Sequence, residues 1–591
     1  MAVTIIGSLP YLSWCRSGRC WSWFAHPAVM ASVVTAVNAT KPAVVDDTAY
    51  LLYARHIATH PSDPYGFTIF WYTWPQPAFE VLAPPVYLYW LALGWRLFGD
   101  HILWLKCWTW PWLLLFAYSL RTLLQRFNPT AAVWLVPMIL LSPTIVPMVN
   151  LMLDIPAYAL GLAGLAVGLI SGTPSLLLQL WRALAAGVCL GLAVQTKYVL
   201  FTFLAVILTW GILCQRWKMS LLSVLVAFAV FAGWEVFCYL RYGQSHFLYH
   251  ALQQTGHQTL GEWWHSKAFL IGPLLGHWGY LGAAVSLCIG SAVGVSPRRS
   301  KACVGLWLIG ALIVCGVPER FLLLPSGLSL VLVFWQGCGL IFFIGIGYGL
   351  YWLWSHAVGA GKQRSYNRFL VIWWLLELGG YYLLTPFGAA RRLIGLSLVS
   401  HLIAAQLAQC SAHTALFTPP AKAQGCHPIF WAIFSVGMGC FVAAIDTLDA
   451  YPEKWCVEQA ARILETTITP TAAEVIRTST EVWFAGHWGF QHYAQRHGWL
   501  QIEPQQSYIS AGAYVVVPVP PDPDFFYRPH IGSRSITLPA GQYVTLAELI
   551  WDDLLPTQTI PNLYGGQVML VGRNYPRLRV VVARLTAPWR P

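Results

Sequence analysis

The residues best suited to chemistry are two adjacent carboxylates, Asp46 and Asp47, just after the first apolar segment. Neighbouring positions on a helix face different ways, so the two cannot share one task. Asp47 is expected to N-cap a helix beginning at Thr48, which leaves Asp46 as the freer carboxylate and the candidate general base. Tyr50, Tyr53, Ala54 and Ile57 follow at helical spacing, and Arg55 lies among them. Further along, Asp154 opens an apolar run at Ile155-Pro156, Lys197 closes one after Gln195-Thr196, and Arg391-Arg392 open another. Cations grouped on one side of a membrane near a carboxylate suit a phosphate. Taken singly, each also fits a base snorkelling at a helix end.

The elements that must position these groups are apolar helices. The 591 residues are 57% hydrophobic, 15% aromatic and 10% charged, with a mean hydropathy of +0.56. Soluble domains carry about 25% charged residues, so the chain is expected to be a mainly α polytopic membrane protein. Runs of about 20 apolar residues predict some thirteen spans, near 22–40, 102–120, 131–149, 155–172, 182–197, 199–215, 219–240, 269–294, 302–318, 327–354, 369–387, 393–411 and 428–446. The first, led by Arg16 and Arg19, reads as a retained signal anchor. Pro84–Gly99 is too short to span; prolines start it and a glycine ends it, so it is expected to lie on the membrane surface.

Charge sets the orientation. With the N-terminus inside, the inner loops carry Arg16, Arg19, Arg121, Arg126, Arg182, Arg216, Lys218, Arg298, Arg299, Lys301, Lys362, Arg364, Arg368 and Lys422, and no acid. This is the positive-inside pattern. It puts the long first loop, 41–101, and a second loop, 241–268, outside. The net charge of +12 belongs to residues 1–446, because 447–591 hold 11 Lys/Arg and 12 Asp/Glu. Membrane orientation therefore explains the basic balance, and nucleic acid is not needed as a partner. The 14 cysteines form no C-x-x-C pair. Residues 1–446 read as a membrane domain and 447–591 as a small outer α/β domain, with helices at 458–466 and 488–497 and strands at 481–485, 514–519 and 577–585.

Asp46-Asp47 with Ala49-Tyr50 and Tyr53-Ala54-Arg55, then Pro84-Pro85, Tyr89-Trp90-Leu91 and Leu97-Phe98-Gly99, resembles the first outer loop of GT-C membrane glycosyltransferases. The likeness is to the protein O-mannosyltransferase, lipid A aminoarabinose transferase and rhizobial galacturonosyltransferase-like family, and it extends loosely to Asp154, Lys197 and Arg391-Arg392. It implies a GT-C fold in a bacterial cytoplasmic (inner) membrane, with the active site and C-terminal domain facing the periplasm or exterior. It implies an inverting transfer from a polyprenyl-phosphate sugar to an envelope glycolipid, glycan or protein acceptor. Asp46 and Asp47 would be catalytic. Lys197, Arg391 and Arg392 would bind the donor phosphate, with Tyr50, Tyr53, Arg55 and Asp154 binding substrate. No ligand set in the sequence demands a metal and no cofactor is assigned, although a divalent metal could assist. Two departures stand out. Asp47 occupies a family Glu position, and Ala83 replaces a basic residue before the paired prolines, which argues against an aminoarabinose donor and a lipid A acceptor.

Three other classes fit the composition. A transporter or flippase would use Glu235, Glu377 and Lys106 as midplane groups. A polysaccharide polymerase or ligase would need a larger late loop than 241–268. An inactive relative would serve as an assembly partner.

Overall fold

The computed structural model describes residues 26–591 except 72–73, 130, 171–174, 256–259, 293–295, 356–361, 415–427, 469–480, 520–535, 561 and 575. Residues 22–25 of the first expected span, with Arg16, Arg19 and Lys422, lie outside the described residues. The chain enters as α1 (Pro27–Ala39) and turns into α2 (Asp46–Thr59), the helix that carries the acid pair. A hairpin, β1 (Thr68–Phe70) and β2 (Pro75–Pro77), leads to α3 (Pro85–Phe98). α3 begins and ends where its prolines and glycine predict. Gly99 sits at φ +61°, and its amide donates to the Trp95 carbonyl at 2.8 Å. α3 packs along α2, and Arg96 Nε donates to the Ala58 carbonyl near the end of α2 at 2.6 Å.

Apolar helices follow in close succession. They are α4 (Ile102–Cys107), α5 (Trp110–Phe127), α6 (Ala132–Leu140), α7 (Asp154–Gly168), α8 (Leu176–Val194), α9 (Phe201–Leu213) and α10 (Trp217–Tyr242). Next come α11 (His246–Thr255), α12 (Leu260–Phe269), α13 (Ile271–Leu281), α14 (Ala283–Ala292), α15 (Pro297–Gly316), α16 (Leu330–Ser355), α17 (Lys362–Leu384), α18 (Ile394–Thr414) and α19 (Pro428–Thr467). Among the described residues five helices are long and apolar enough to cross a membrane, six if a bent pair counts as one span. Thirteen were expected. The difference lies in helices such as α1, α7 and α9, which coincide with expected spans but run only 13 to 15 residues. The stretch expected as one span at 269–294 bends by 71°. The break falls at Gly282, where the Trp278 indole fills the space a Cβ would need.

Residue 446, expected as a domain boundary, lies inside α19, a continuous 40-residue helix. The helix runs on because its second half has a new surface to cover. Cys456, Val457, Ala460 and Leu464 pack against a five-stranded sheet and α20 (Trp488–Arg496). The sheet comprises β3 (Val482–Phe484), β4 (Leu500–Gln501), β5 (Tyr514–Pro518), β6 (Tyr543–Trp551) and β9 (Leu578–Leu585), in the order β4-β3-β5-β9-β6. β3 runs parallel to β4 and β5, and β9 runs antiparallel to β5 and β6. Strand alternation sends Tyr514 and Val516 toward α19, and Val515 and Val517 toward Ile509 and Trp589 on the other face.

Between β6 and β9 the chain leaves the sheet and returns to the helical bundle. β7 (Thr557–Gln558), α21 (Asn562–Gly565) and β8 (Val571–Gly572) form this strap. Trp335 Nε1 donates to the Leu570 carbonyl and Thr557 Oγ1 to the Cys315 carbonyl, each at 2.9 Å. Its base is stapled by Arg577, which is fully buried and ion-paired with Asp449 and Asp553. Asp449 also accepts the Thr559 and Ile560 amides at 2.6 and 3.0 Å. Truncating one partner strands a buried charge, which costs about 3–5 kcal/mol. Arg577→Leu is therefore expected to lower the unfolding temperature of the detergent-solubilised protein sharply, whereas Arg579→Leu, at a half-exposed pair with Glu548, leaves it nearly unchanged. A thermal-shift assay on the two variants checks this.

Candidate functional site

The site is built at the N-terminus of α2. Val45, just before it, has φ +48° and ψ −126°. A β-branched residue at positive φ is strained, and such strain persists only where the surroundings hold it. This turn makes Asp46 the first helical residue and separates the two carboxylates. Asp46 pairs with Arg391, 345 residues away, and keeps a side-chain exposure of 19%. Asp47 points into the interior.

Around Asp46 the structure brings together groups from separate segments. Asp154, at the start of α7, pairs with Lys197 beyond the end of α8. Arg391 and Arg392 lie on a short turn of helix, Ala390–Leu393, just before α18. Both guanidinium groups act electrostatically on Asp154 as well as on Tyr50. Tyr50, one turn beyond Asp46, is buried; burial and then the Asp46 charge hold its hydroxyl protonated well above the usual range. Burial works against the charge on Arg391, but Asp46 and Asp154 together hold it above its ordinary value. Three cations thus meet two carboxylates, which leaves one positive charge over. Arg392 carries it: among the described residues no carboxylate lies within ion-pair distance, its buried Nε has no hydrogen-bond partner, and its guanidinium lies 5.1 Å from the Phe387 ring centroid.

Three expectations are corrected. Asp47 does not cap the helix. Its carboxylate is fully buried and its oxygens make no hydrogen bond; the nearest cation is Lys106, at 4.0 Å. Burial raises its pKa above the carboxylate range, against the pull of Lys106 and Lys41. Tyr53 does not face the corner. It is fully enclosed, donates to the Ala78 carbonyl at 2.5 Å and packs edge-on to Tyr65 and Phe67. Arg55 is exposed on another face of α2 and lines a cavity against α20 and the sheet edge. Tyr53, seven residues beyond Asp46, lies about two turns farther along the same side of the helix, out of reach of the corner, whereas Arg55, nine residues beyond, lies on the opposite face.

The sequence reading missed a second buried cluster beside the first. Lys41 pairs with Asp446, and its Nζ donates to the Tyr564 hydroxyl at 3.1 Å. Asn150 donates to the same hydroxyl at 3.2 Å and accepts from Lys106 at 3.3 Å. Tyr564 belongs to the strap, and α21 packs on the Arg391 turn. Asp446 was legible as an ionisable residue in an apolar run; nothing local pointed to Tyr564. The groups a transporter would use have separate partners. Glu235 accepts from Gln195, Ser245 and the Phe247 amide, Glu377 accepts from Trp373, and Lys106 joins the cluster just described. Among the described residues no group of three or more His, Cys, Asp or Glu could hold a metal ion.

Residues of the 241–268 stretch buttress the first loop. His246 stacks on Tyr65 at 4.9 Å, and His250 Nε2 donates to the Phe79 carbonyl at 3.2 Å.

No family model and no curated protein matches the chain. The chain is similar to two solved structures. One is the archaeal oligosaccharyltransferase AglB from Archaeoglobus fulgidus, solved with an inhibitory peptide and a dolichol-phosphate. The identity is 14%, the match covers 84% of this chain and 69% of that one, and the TM-score is 0.46. The other is ArnT from Cupriavidus metallidurans bound to undecaprenyl phosphate, at 16% identity, 94% and 96% coverage and a TM-score of 0.38.

Burial pushes His250 down from 6.5 to about 4, so it is neutral in the fold. That contribution to stability is complete above pH 6.5 and is lost as pH falls from there toward 4. His250→Gln is expected to flatten the fall in unfolding temperature across this window, measured by thermal shift from pH 7 to pH 4.

Proposed function

We propose that this chain is a GT-C glycosyltransferase that moves a sugar from a polyprenyl-phosphate donor to an acceptor hydroxyl at the outer face of the cytoplasmic membrane, with inversion. One observation carries the reading. Asp46, Asp154, Lys197, Arg391 and Arg392 meet at one corner with a carboxylate partly open to solvent and one cation uncompensated. Such a corner holds an anion and a base side by side.

The reaction needs both. Asp46 takes the proton of the acceptor hydroxyl as its oxygen attacks the anomeric carbon. The bond from that carbon to the phosphate oxygen breaks, and the electron pair leaves with the lipid phosphate. Arg392 and Arg391, with Lys197 behind them, stabilise the charge that grows there. Donors fixed before the reaction do this without reorganisation. The Asp46–Arg391 pair ties the base to the leaving-group side, so the two ends of the reaction are held in one geometry. The donor's lipid tail in the bilayer brings the phosphate to this height. The second buried cluster supports the floor of the corner without touching the reacting atoms.

A positioned base contributes about 10²–10⁴-fold. Membranes incubated with a panel of polyprenyl-phosphate sugars are therefore expected to lose at least about a hundredfold in sugar release on Asp46→Asn, with expression and folding retained. Equal release by the variant removes Asp46 from the mechanism. Arg392→Gln removes charge-assisted bonds worth about 1.5–3 kcal/mol each. It is expected to weaken donor use by about tenfold or more, read as kcat/KM for the donor, while Arg121→Gln, on the inner side in this topology, leaves it unchanged.

A further inference from the structure

A cavity of about 540 Å³ opens between the first outer loop and the C-terminal domain, away from the acid corner. Its size is that of a small-molecule site. On one side it is lined by the Leu52, Arg55, His56 and Thr59 face of α2. Asp46 lies on a different face, about 14 Å from Arg55 along the helix axis at about 1.5 Å per residue. On the other side stand Gln491 and Gln495, one turn apart on α20, with Gln501 and Glu503 at the sheet edge.

The lining has two features that point to one ligand class. The first is unsatisfied amides. Gln501 donates to the Gly486 carbonyl at 3.0 Å, but its Oε1 is buried and has no partner. Gln491 is 5% exposed, and its side-chain amide makes no hydrogen bond among the described residues. Leaving a buried polar atom unpaired is unfavourable, and a ligand that pairs the Gln501 oxygen relieves that cost. The second feature is a flat wall. His56 and Phe67 stack with centroids 4.6 Å apart, beside Phe70. Amides that both donate and accept match hydroxyl groups, which do the same, and a flat ring surface matches the C–H face of a pyranose. One arginine against one glutamate leaves little net charge, which disfavours a phosphate.

We infer that this cavity binds the non-reacting saccharide of the acceptor, so that the acceptor is a glycan or glycoconjugate. This rests on the glycosyltransferase reading. It makes the C-terminal domain the part of the chain that selects the acceptor, through the Gly486–Tyr493 segment. That segment is anchored on the first loop by Tyr493, whose hydroxyl accepts from the Ala43 amide at 3.0 Å, and by His487, whose ring lies 5.3 Å from Phe70.

The test is isothermal titration of the full-length protein in nanodiscs with maltotriose, chitotriose and trigalacturonic acid, and with a Ser-Ala decapeptide. At least one saccharide is expected to bind saturably. Gln495→Leu, at an exposed position that folding tolerates, and Gln501→Leu are each expected to weaken it about tenfold, the worth of one or two hydrogen bonds. Asp46→Asn is expected to bind as the wild type does. Binding of no saccharide, binding of the decapeptide alone, or wild-type affinity in both Gln variants overturns the inference. The donor reading fails separately. If Asp46→Asn still releases sugar while Gln495→Leu loses saccharide affinity, the cavity stands and the catalytic assignment falls.

Discussion

The ion pair between Asp46 and Arg391 fixes the rest of the structure around it. It joins α2 to a turn 345 residues later. A pair this deep contributes little net stability once desolvation is counted. What it supplies is position. It places a carboxylate with 19% side-chain exposure beside three cations, and it holds the N-terminus of α2 against the start of α18. The strained Val45 is tolerated because this contact and the burial of Asp47 both demand that turn. Packing of α3 along α2 then keeps the helix from rotating out of register.

The second cluster shows how the corner is held from below. Lys41 and Asp446 come from the ends of two apolar segments, and Tyr564 comes from the strap that leaves the C-terminal sheet. Two lysines and two aspartates share the space with Asn150 and Tyr564. Opposite charges compensate there, and the hydroxyl and amide fill the remaining hydrogen bonds. The C-terminal part is therefore structurally joined to the corner. It sends one segment into the bundle, stapled by Arg577 and Asp449, and lays another across the first loop through α20.

What the sequence made legible was local. α3 starts at Pro85 and ends before Gly99 because proline and glycine act on their own backbone. The strands at 482–484, 514–518 and 578–585 show in their β-branched composition and short alternation. Asp154, Lys197, Arg391 and Arg392 come together near Asp46 from separate segments. What escaped was set by distant contacts. Capping by Asp47 was a sound local expectation, overridden when Val45 took a positive φ and the acid turned inward. Tyr53 shares the Asp46 side of the helix but sits about two turns farther on, and Arg55 lies on the opposite face. Helical faces could be counted, but which face meets the site depends on α18 and α7. Tyr564 reaches the cluster through a fold-back that no periodicity announces. The helix through residue 446 continued because the sheet offers it a second apolar surface.

The central claim is that this corner holds a lipid phosphate next to Asp46. A cryo-EM structure of the full-length protein in nanodiscs with undecaprenyl phosphate tests it most directly. The account predicts the phosphate against the Arg391 and Arg392 guanidinium groups, with Asp46 facing the side from which an acceptor arrives. A phosphate bound elsewhere, with the Asp46–Arg391 corner left as it is, contradicts it.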